Sequence, residues 1–287
     1  MKSHLKEIIL SVAAFLLLVF AVIAFLKGMR TQKAGLEIDV YTLVPPNAVA
    51  LLNINRPDLF RRMALDEPVL YGIFASEIPD MYLSILRQVK VQSAVISHHR
   101  QGLLCCIQVG QEASEVVRLV HGQFNAYTPQ VQTSDGIDFY YFPDSGGRFF
   151  GYYIYNNVWV GSYSRKLLER AAEQQIKGVF QLPGEVRRLL GGIDKNSPAN
   201  LLFHAARAGL QDIEPANKRS WLAADLFVNE GSFCCYSHLP YFDEEISETL
   251  SLFLAYQYPQ LQFTFQVTGD DGTAVSLTAC SPLHARD

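Results

Sequence analysis

Five cysteines and seven histidines are the residues of this 287-residue chain that could serve a metal, a redox reaction or a nucleophilic attack. The cysteines fall as Cys105-Cys106, Cys234-Cys235 and Cys280. Neighbours on a strand point to opposite faces, so each pair sends one thiol inward and one outward. A disulfide between equivalent positions, or a redox pair, is one reading. No C-x-x-C occurs and the number is odd, so the reading carried forward is small buried hydrophobes on core strands. His98-His99 stands at a hairpin edge, where a strand splits the two rings across its faces and denies them a shared ion. No H-E-x-x-H or C-x₂-C…H pattern is present. His121, His204 and His238 are isolated, as satisfied or surface histidines are.

Other constellations are equally bare. Asp144-Ser145-Gly146-Gly147 has no G-K-[ST] and no helix after it, and Gly269-Asp270-Asp271-Gly272 lacks the alternating acids and distal glutamate of a calcium loop. Both read as hairpin turns. There is no G-x-S-x-G elbow and no G-x-G-x-x-G. Glu244-Glu245 falls at a helix start, where the dipole accounts for it. The chain is therefore expected to be no enzyme, with no catalytic residue, no metal site and no cofactor. One cluster holds functional interest: Phe139, Tyr140, Tyr141, Phe142, Phe149, Phe150, Tyr152, Tyr153, Tyr155 and Trp159 crowd together. On paired strands alternate members face opposite sides. Cross-strand aromatic pairing on a half-buried sheet explains such a cluster. Members that face outward could form a contact surface, and Tyr140, Tyr152, Tyr153, Tyr155 and Trp159 are the candidate interaction residues, since tyrosine and tryptophan are enriched at interfaces.

The elements that would position these residues alternate from Ile38 onward. Val49–Ile54 is a strand after the Pro45-Pro46-Asn47 turn, and Asp58 fits the N-cap of a helix through Phe60 and Met63. A second helical stretch starts near Pro68, breaks near Pro79 and resumes through Met81, Leu83, Leu86 and Val89. Ala94–His99 and Leu103–Val109 form a hairpin, followed by an amphipathic helix burying Ala113, Val116, Val117 and Val120. Strands are expected at Gln130–Thr133 and Ile137–Phe142, then at Phe149–Tyr155 and Val158–Ser162 around Asn156-Asn157. Ser164 can cap the next helix, which buries Leu167, Leu168, Ala171, Ala172 and Gln175 or Ile176.

An internal echo follows. Pro46–Leu52 resembles Pro198–Phe203, and Gly102-Leu103-Leu104-Cys105-Cys106 resembles Gly231-Ser232-Phe233-Cys234-Cys235. Each of these hairpins is followed by an acidic helix start, at Glu112 and at Asp243-Glu244-Glu245, the second leading to Ile246, Leu250, Phe253 and Leu254. The chain closes on a hairpin of Gln262–Val267 and Ala274–Ala279. The expected fold class is α+β: two weakly repeated units of antiparallel sheet with helices packed on one face, preceded by a transmembrane helix.

That helix is Ile8 to Leu26, an uninterrupted apolar run except for Ser11. At 1.5 Å per residue it would be about 28 Å long, close to the hydrocarbon thickness of a bilayer. A cleaved signal peptide has a shorter core and a small-x-small site, which Phe25-Leu26-Lys27-Gly28-Met29-Arg30 does not offer. An uncleaved signal anchor is the better reading. Lys2 and Lys6 on one flank balance Lys27, Arg30 and Lys33 on the other, so charge does not orient it. A seven-residue tail is rarely what a cell exports, which favours a cytoplasmic tail and an outer domain. The rest of the chain is acidic, and an acidic surface argues against nucleic acid as a partner. Hydrophobic residues make up 49% and charged residues 18%, enough to bury a core.

Pro46-Asn47-Ala48-Val49, Ser97-His98-His99-Arg100-Gln101-Gly102, Gly136-Ile137-Asp138-Phe139-Tyr140 and Val160–Glu169 carry a family likeness. The chain resembles a bacterial family of membrane-anchored extracytoplasmic proteins classed as a domain of unknown function, over roughly residues 38–280. The resemblance implies a bacterial envelope location and supplies no catalytic residue. The expected organisation is a cytoplasmic tail at 1–7, the anchor at 8–26, a tether at 27–37, a first repeat at 38–195 and a second, shorter one at 196–287. The expected role is a non-enzymatic single-pass protein of the bacterial inner membrane, presenting its extracytoplasmic domain to a protein partner or envelope component. The alternative is a binding protein for a small ligand, a lipid or cell-wall fragment, held between the two repeats.

Overall fold

The computed structural model describes residues 40–144, 147–178, 184–204, 221–239, 261–268 and 275–283. These belong to one compact unit, Asp39–Asp287. The run 8–26, the helix expected after Asp243 and the turn Gly269–Gly272 lie outside the described residues. Among the described residues no helix is long and apolar enough to cross a membrane.

Twelve strands form one sheet. In chain order they are β1 (Ala50–Ile54), β2 (Ser93–His99), β3 (Gly102–Gln108), β4 (Gln130–Ser134), β5 (Ile137–Pro143), β6 (Phe149–Tyr155), β7 (Val158–Ser162), β8 (Ala199–Phe203), β9 (Leu222–Asn229), β10 (Ser232–Leu239), β11 (Thr264–Thr268) and β12 (Val275–Pro282). Their spatial order is β11-β12-β10-β9-β8-β1-β2-β3-β7-β6-β5-β4. Every neighbouring pair is antiparallel. Tight turns set the registers of three hairpins. Asp135-Gly136, Asn156-Asn157 and Glu230-Gly231 all take positive φ, as two-residue hairpin turns require.

The strand order mirrors itself about the β8–β1 join, four strands to either side. From β1 outward run β2, β3 and β7, and from β8 outward run β9, β10 and β12. The two halves meet where β1 pairs with β8, Asn53 lying directly opposite Asn200. In the first half the turn joins His99 to Gly102, and in the second it joins Asn229 to Ser232. Superposing turn on turn therefore sets Gly102 against Ser232, one residue on from the match of Gly102 with Gly231 read in the sequence. Cys105 then corresponds to Cys235, and both face the same core cluster. In a strand one residue of slip exchanges the two faces.

Helices cover both faces of the sheet, where the sequence reading put them on one. On the first face lie α1 (Pro57–Phe60) running into a π turn (Arg61–Leu65), α2 (Pro68–Glu77), α3 (Asp80–Gln88) and α4 (Ala113–Gln123). Their Phe60, Leu70, Ile73, Leu83, Val116 and Val120 share a core with Leu52, Ile96, Cys105, Ile107 and Trp159 of the strands. On the opposite face lie a 3₁₀ turn (Val40–Leu43) and α5 (Arg165–Lys177), which covers β6 and β7. A short helix, α6 (Gly184–Gly192), precedes β8. Leu167, Leu168, Ala171 and Ala172 of α5 are buried there, with Leu51, Leu104, Cys106 and Val160 from the strands. The apolar stripe of α5 was legible, but a stripe says which side of a helix is buried and not which side of the sheet buries it.

Local chemistry places the helix ends. Glu67 accepts a bond from the Leu70 amide at 2.8 Å and Pro68 opens α2, while Pro79 separates α2 from α3. Asp58 sits inside the first turn of α1, and the N-cap position expected for it is held by Arg56. Ser164 occupies the N-cap of α5, its carbonyl accepting from Leu167 and Leu168 while its hydroxyl caps no amide. Its own amide donates to Ser162 Oγ at 3.0 Å.

Glycine makes room for the largest buried side chain. Trp159 lies across Gly161, where an added Cβ would fall 2.3 Å from the indole Cη2. Above the indole sits Tyr82, whose hydroxyl donates to the Gly161 carbonyl at 3.2 Å. Overpacking of this kind costs about 1–3 kcal/mol. Gly161→Ala is therefore expected to lower the urea midpoint by that amount, while Gly191→Ala, where a Cβ inside α6 meets open space, leaves it unchanged or raises it. Equal midpoints for Gly161→Ala and the parent would contradict the packing described.

Candidate functional site

The concavity of interest lies over the meeting of the two halves. α2 spans the sheet above β1 and β8 and leaves a pocket of about 220 Å³ beneath it. Leu70, Ile73, Phe74 and Ile78 form its roof. Ala50, Leu52, Ile96 and Leu103 come from the first half of the sheet, and Leu201, Leu226, Phe233 and Cys235 from the second, with Leu261 beside them. The strand residues share one face because they alternate along their strands in register. Ala50 projects only a methyl group, between His98 on β2 and Phe203 on β8. The polar residues of the lining are Glu77 and His98, both exposed, so the pocket is apolar within and polar at its mouth.

The candidate interaction surface is only partly at the surface. Tyr152, Tyr153 and Trp159, expected to face outward, are fully buried, and the reason is the second helical layer. Tyr152 and Trp159 pack beneath α3 and α4, where the Tyr152 hydroxyl meets His121 Nε2 at 3.0 Å. Tyr153 faces α5 and donates to Gln175 Oε1 at 3.1 Å. Burial raises the hydroxyl pKa of Tyr82, Tyr152 and Tyr153. Tyr140 and Tyr155 are half-buried, Tyr140 stacked on Tyr152 at 5.0 Å between centroids. The cluster is core packing with a thin exposed margin.

The cysteines divide. Cys105, Cys106 and Cys235 are free and buried, as small hydrophobes are. Burial pushes all three thiols up, Cys235 to about 12, so none is poised as a nucleophile. Cys234 and Cys280 face each other across β10 and β12 and form a disulfide. This departs from the reading of all five as hydrophobes, and the bonded pair does not join equivalent positions. Among the described residues no three His, Cys, Asp or Glu side chains could hold a metal ion.

The fold defines a class, an antiparallel α+β protein built on one wide sheet with helices on both faces. No protein-family model matches this chain, and no curated protein matches it significantly. Solved structures do resemble it. Crystal form I of TP0453 aligns with a TM-score of 0.50 at 11% identity, covering 85% of this chain and 94% of that one. Crystal form III of TP0453 aligns at 0.49 and 11% identity, covering 86% and 95%. At such identity the likeness concerns the fold alone.

One further constellation has the outline of nucleophilic chemistry. His99 Nε2 lies 2.9 Å from Ser97 Oγ, and His99 Nδ1 lies 3.3 Å from Asn47 Oδ1. Ser97 and His99 are both buried on the face away from the pocket, so no substrate reaches the hydroxyl. His98, one residue away, is exposed at the pocket mouth, the split across faces that strand geometry demands. The role of His99 is to tie β2 to the Asn47 turn. Burial, with smaller contributions from His98 and Arg170, holds its pKa down at about 4. The unfolded chain takes up this proton near pH 6.5, so stability falls as pH drops from 6.5 towards 4 and levels off below. Urea midpoints at pH 7 and pH 5 are expected to show His99→Gln losing up to about 2 kcal/mol less than the parent over that interval. Parallel losses would mean that His99 titrates normally in the fold.

Proposed function

We propose that this chain is a membrane-anchored extracytoplasmic binding protein holding one apolar chain, such as a lipid or fatty acid carries, in the pocket between two diverged copies of one sheet unit. The observation that carries the reading is the pocket itself, lined from both halves by Leu52, Ile96, Leu201, Leu226 and Phe233 and polar only at Glu77 and His98. Each methylene taken from water into such a lining contributes about 0.8 kcal/mol. At about 220 Å³ the pocket is smaller than the 300–1,000 Å³ usual for drug-sized ligands, which favours a slender chain over a ring system. The mirrored strand order on either side of the β1–β8 pair supports descent of the halves from one unit.

The apolar run Ile8 to Leu26 supports a single-pass anchor in a bacterial inner membrane. The Cys234–Cys280 disulfide supports an oxidising compartment for the domain. The protein-partner reading has less behind it, because Tyr152, Tyr153 and Trp159 are spent on the core. Neither reading requires a reaction.

Titration of the full chain in nanodiscs with a fluorescent fatty acid tests the proposal. Saturable binding of one probe per chain is expected, weakened more than tenfold by Ala50→Phe, which narrows the pocket from its half-exposed side and leaves the melting temperature nearly unchanged. No saturable binding, or equal binding by the variant, would overturn the ligand reading. For the topology, protease added to intact spheroplasts is expected to remove an epitope placed after Asp287. Protection until lysis would put the domain in the cytoplasm.

A further inference from the structure

The sheet ends at β4, which among the described residues pairs only with β5. All five of its residues, Gln130 to Ser134, are exposed, Val131 at 52%. Edge strands of monomeric proteins are usually blunted by a charge, an internal proline, a bulge or a covering segment. β4 has none of the first three: Gln-Val-Gln-Thr-Ser is uncharged, contains no proline, and stays in unbroken register with β5. Among the described residues its backbone makes no hydrogen bond outside the ladder with β5. The strand is also held in place, since Arg165 donates to Gln132 Oε1 at 2.9 Å and Thr133 donates to Asp138 Oδ1 at 2.6 Å.

We propose that β4 is a homotypic docking edge, on which the β4 of a second copy of this chain pairs antiparallel about a two-fold axis midway between the two Gln132 residues. The strand is self-complementary in that register. Gln132 faces its own copy, amide to amide, and Gln130 faces the partner's Ser134. Val131 faces the partner's Thr133, a β-branched pair that covers the exposed valine. β4 itself brings no charged side chain to the contact, and the Arg165 on each Gln132 is paired with its own Glu169. Pairing of β4 with β11 of another copy would propagate without closing, whereas β4 on β4 closes as a dimer. A five-residue strand contact sits at the small end of interface size, so the dimer is weak and reversible in solution. This inference stands apart from the pocket and its ligand.

Cysteine scanning of the full chain in detergent provides the test. Under mild oxidation Gln132→Cys is expected to give a disulfide-linked dimer, and a mixture of Gln130→Cys with Ser134→Cys to cross-link at least fivefold more than either alone. The parent serves as background, its free Cys105, Cys106 and Cys235 being buried. By sedimentation, Gln132→Lys is expected to dimerise at least tenfold more weakly than Gln132→Ala, which loses the same bond from Arg165 without placing two ammonium groups opposite each other in the dimer. Absence of cross-links from all three cysteine variants, a monomer at every concentration, growth of species beyond the dimer, or cross-linking of β4 to a different protein would each overturn the proposal.

Discussion

The antiparallel join between β1 and β8 is the constraint on which the rest of the structure depends. It makes two half-sheets into one, and its register is marked by polar groups that tolerate no alternative. Asn200, fully buried, donates to Asp225 Oδ1 at 2.6 Å, while its own Oδ1 accepts from Asn53 at 3.2 Å and from Asn55 at 2.5 Å. Asp225 in turn accepts from the Asp194 amide at 3.2 Å. A buried amide or carboxylate without partners costs about 1–3 kcal/mol or more, so slipping this join by one residue would strand several groups at once. The same slip would turn Leu201 to the face opposite Leu52 and put Asn200 on the pocket floor. The polar ladder on one face is thus what holds the apolar floor on the other.

Given that join, the pocket follows from the placement of α2 across it. The floor draws on strands from both halves, so neither half alone could build it. Its chemistry is plain: small and branched aliphatic groups, one free thiol raised by burial, and two polar side chains at the opening. Such a lining offers no directed hydrogen bond in its interior and discriminates by length and girth. The opposite face is filled by α5 and the 3₁₀ turn, and there the buried groups, His99 with Ser97 and Tyr153 with Gln175, satisfy one another and are closed to solvent.

Much of this architecture was readable from the residues. Asn156-Asn157 announced its hairpin because few residues accept positive φ, and Pro79 announced the break between α2 and α3. The alternation of the aromatic strands was also readable, since period two is a property of the strand itself. The sides of the sheet were not. Leu167, Leu168, Ala171 and Ala172 define a buried stripe on α5, but only the path of the chain decides which face receives it, and with it whether Tyr153 is wrapped or exposed. The Cys234–Cys280 bond depends on the register of β10 against β12, a contact between strands distant in sequence. The pocket was the least legible feature, because Ala50, Leu52 and Leu201 are ordinary core residues until a helix fails to fill the space above them.

The most direct test of the account is the position of a bound chain. Crystals of the protein grown with a fatty acid carrying bromine at its terminal carbon would locate that carbon by anomalous scattering. A single bromine peak between α2 and the β1–β8 join, among Leu52, Leu201 and Phe233, is the predicted result. A peak elsewhere, or an empty pocket beside saturating ligand, would contradict the claim that joining the two half-sheets creates a binding site.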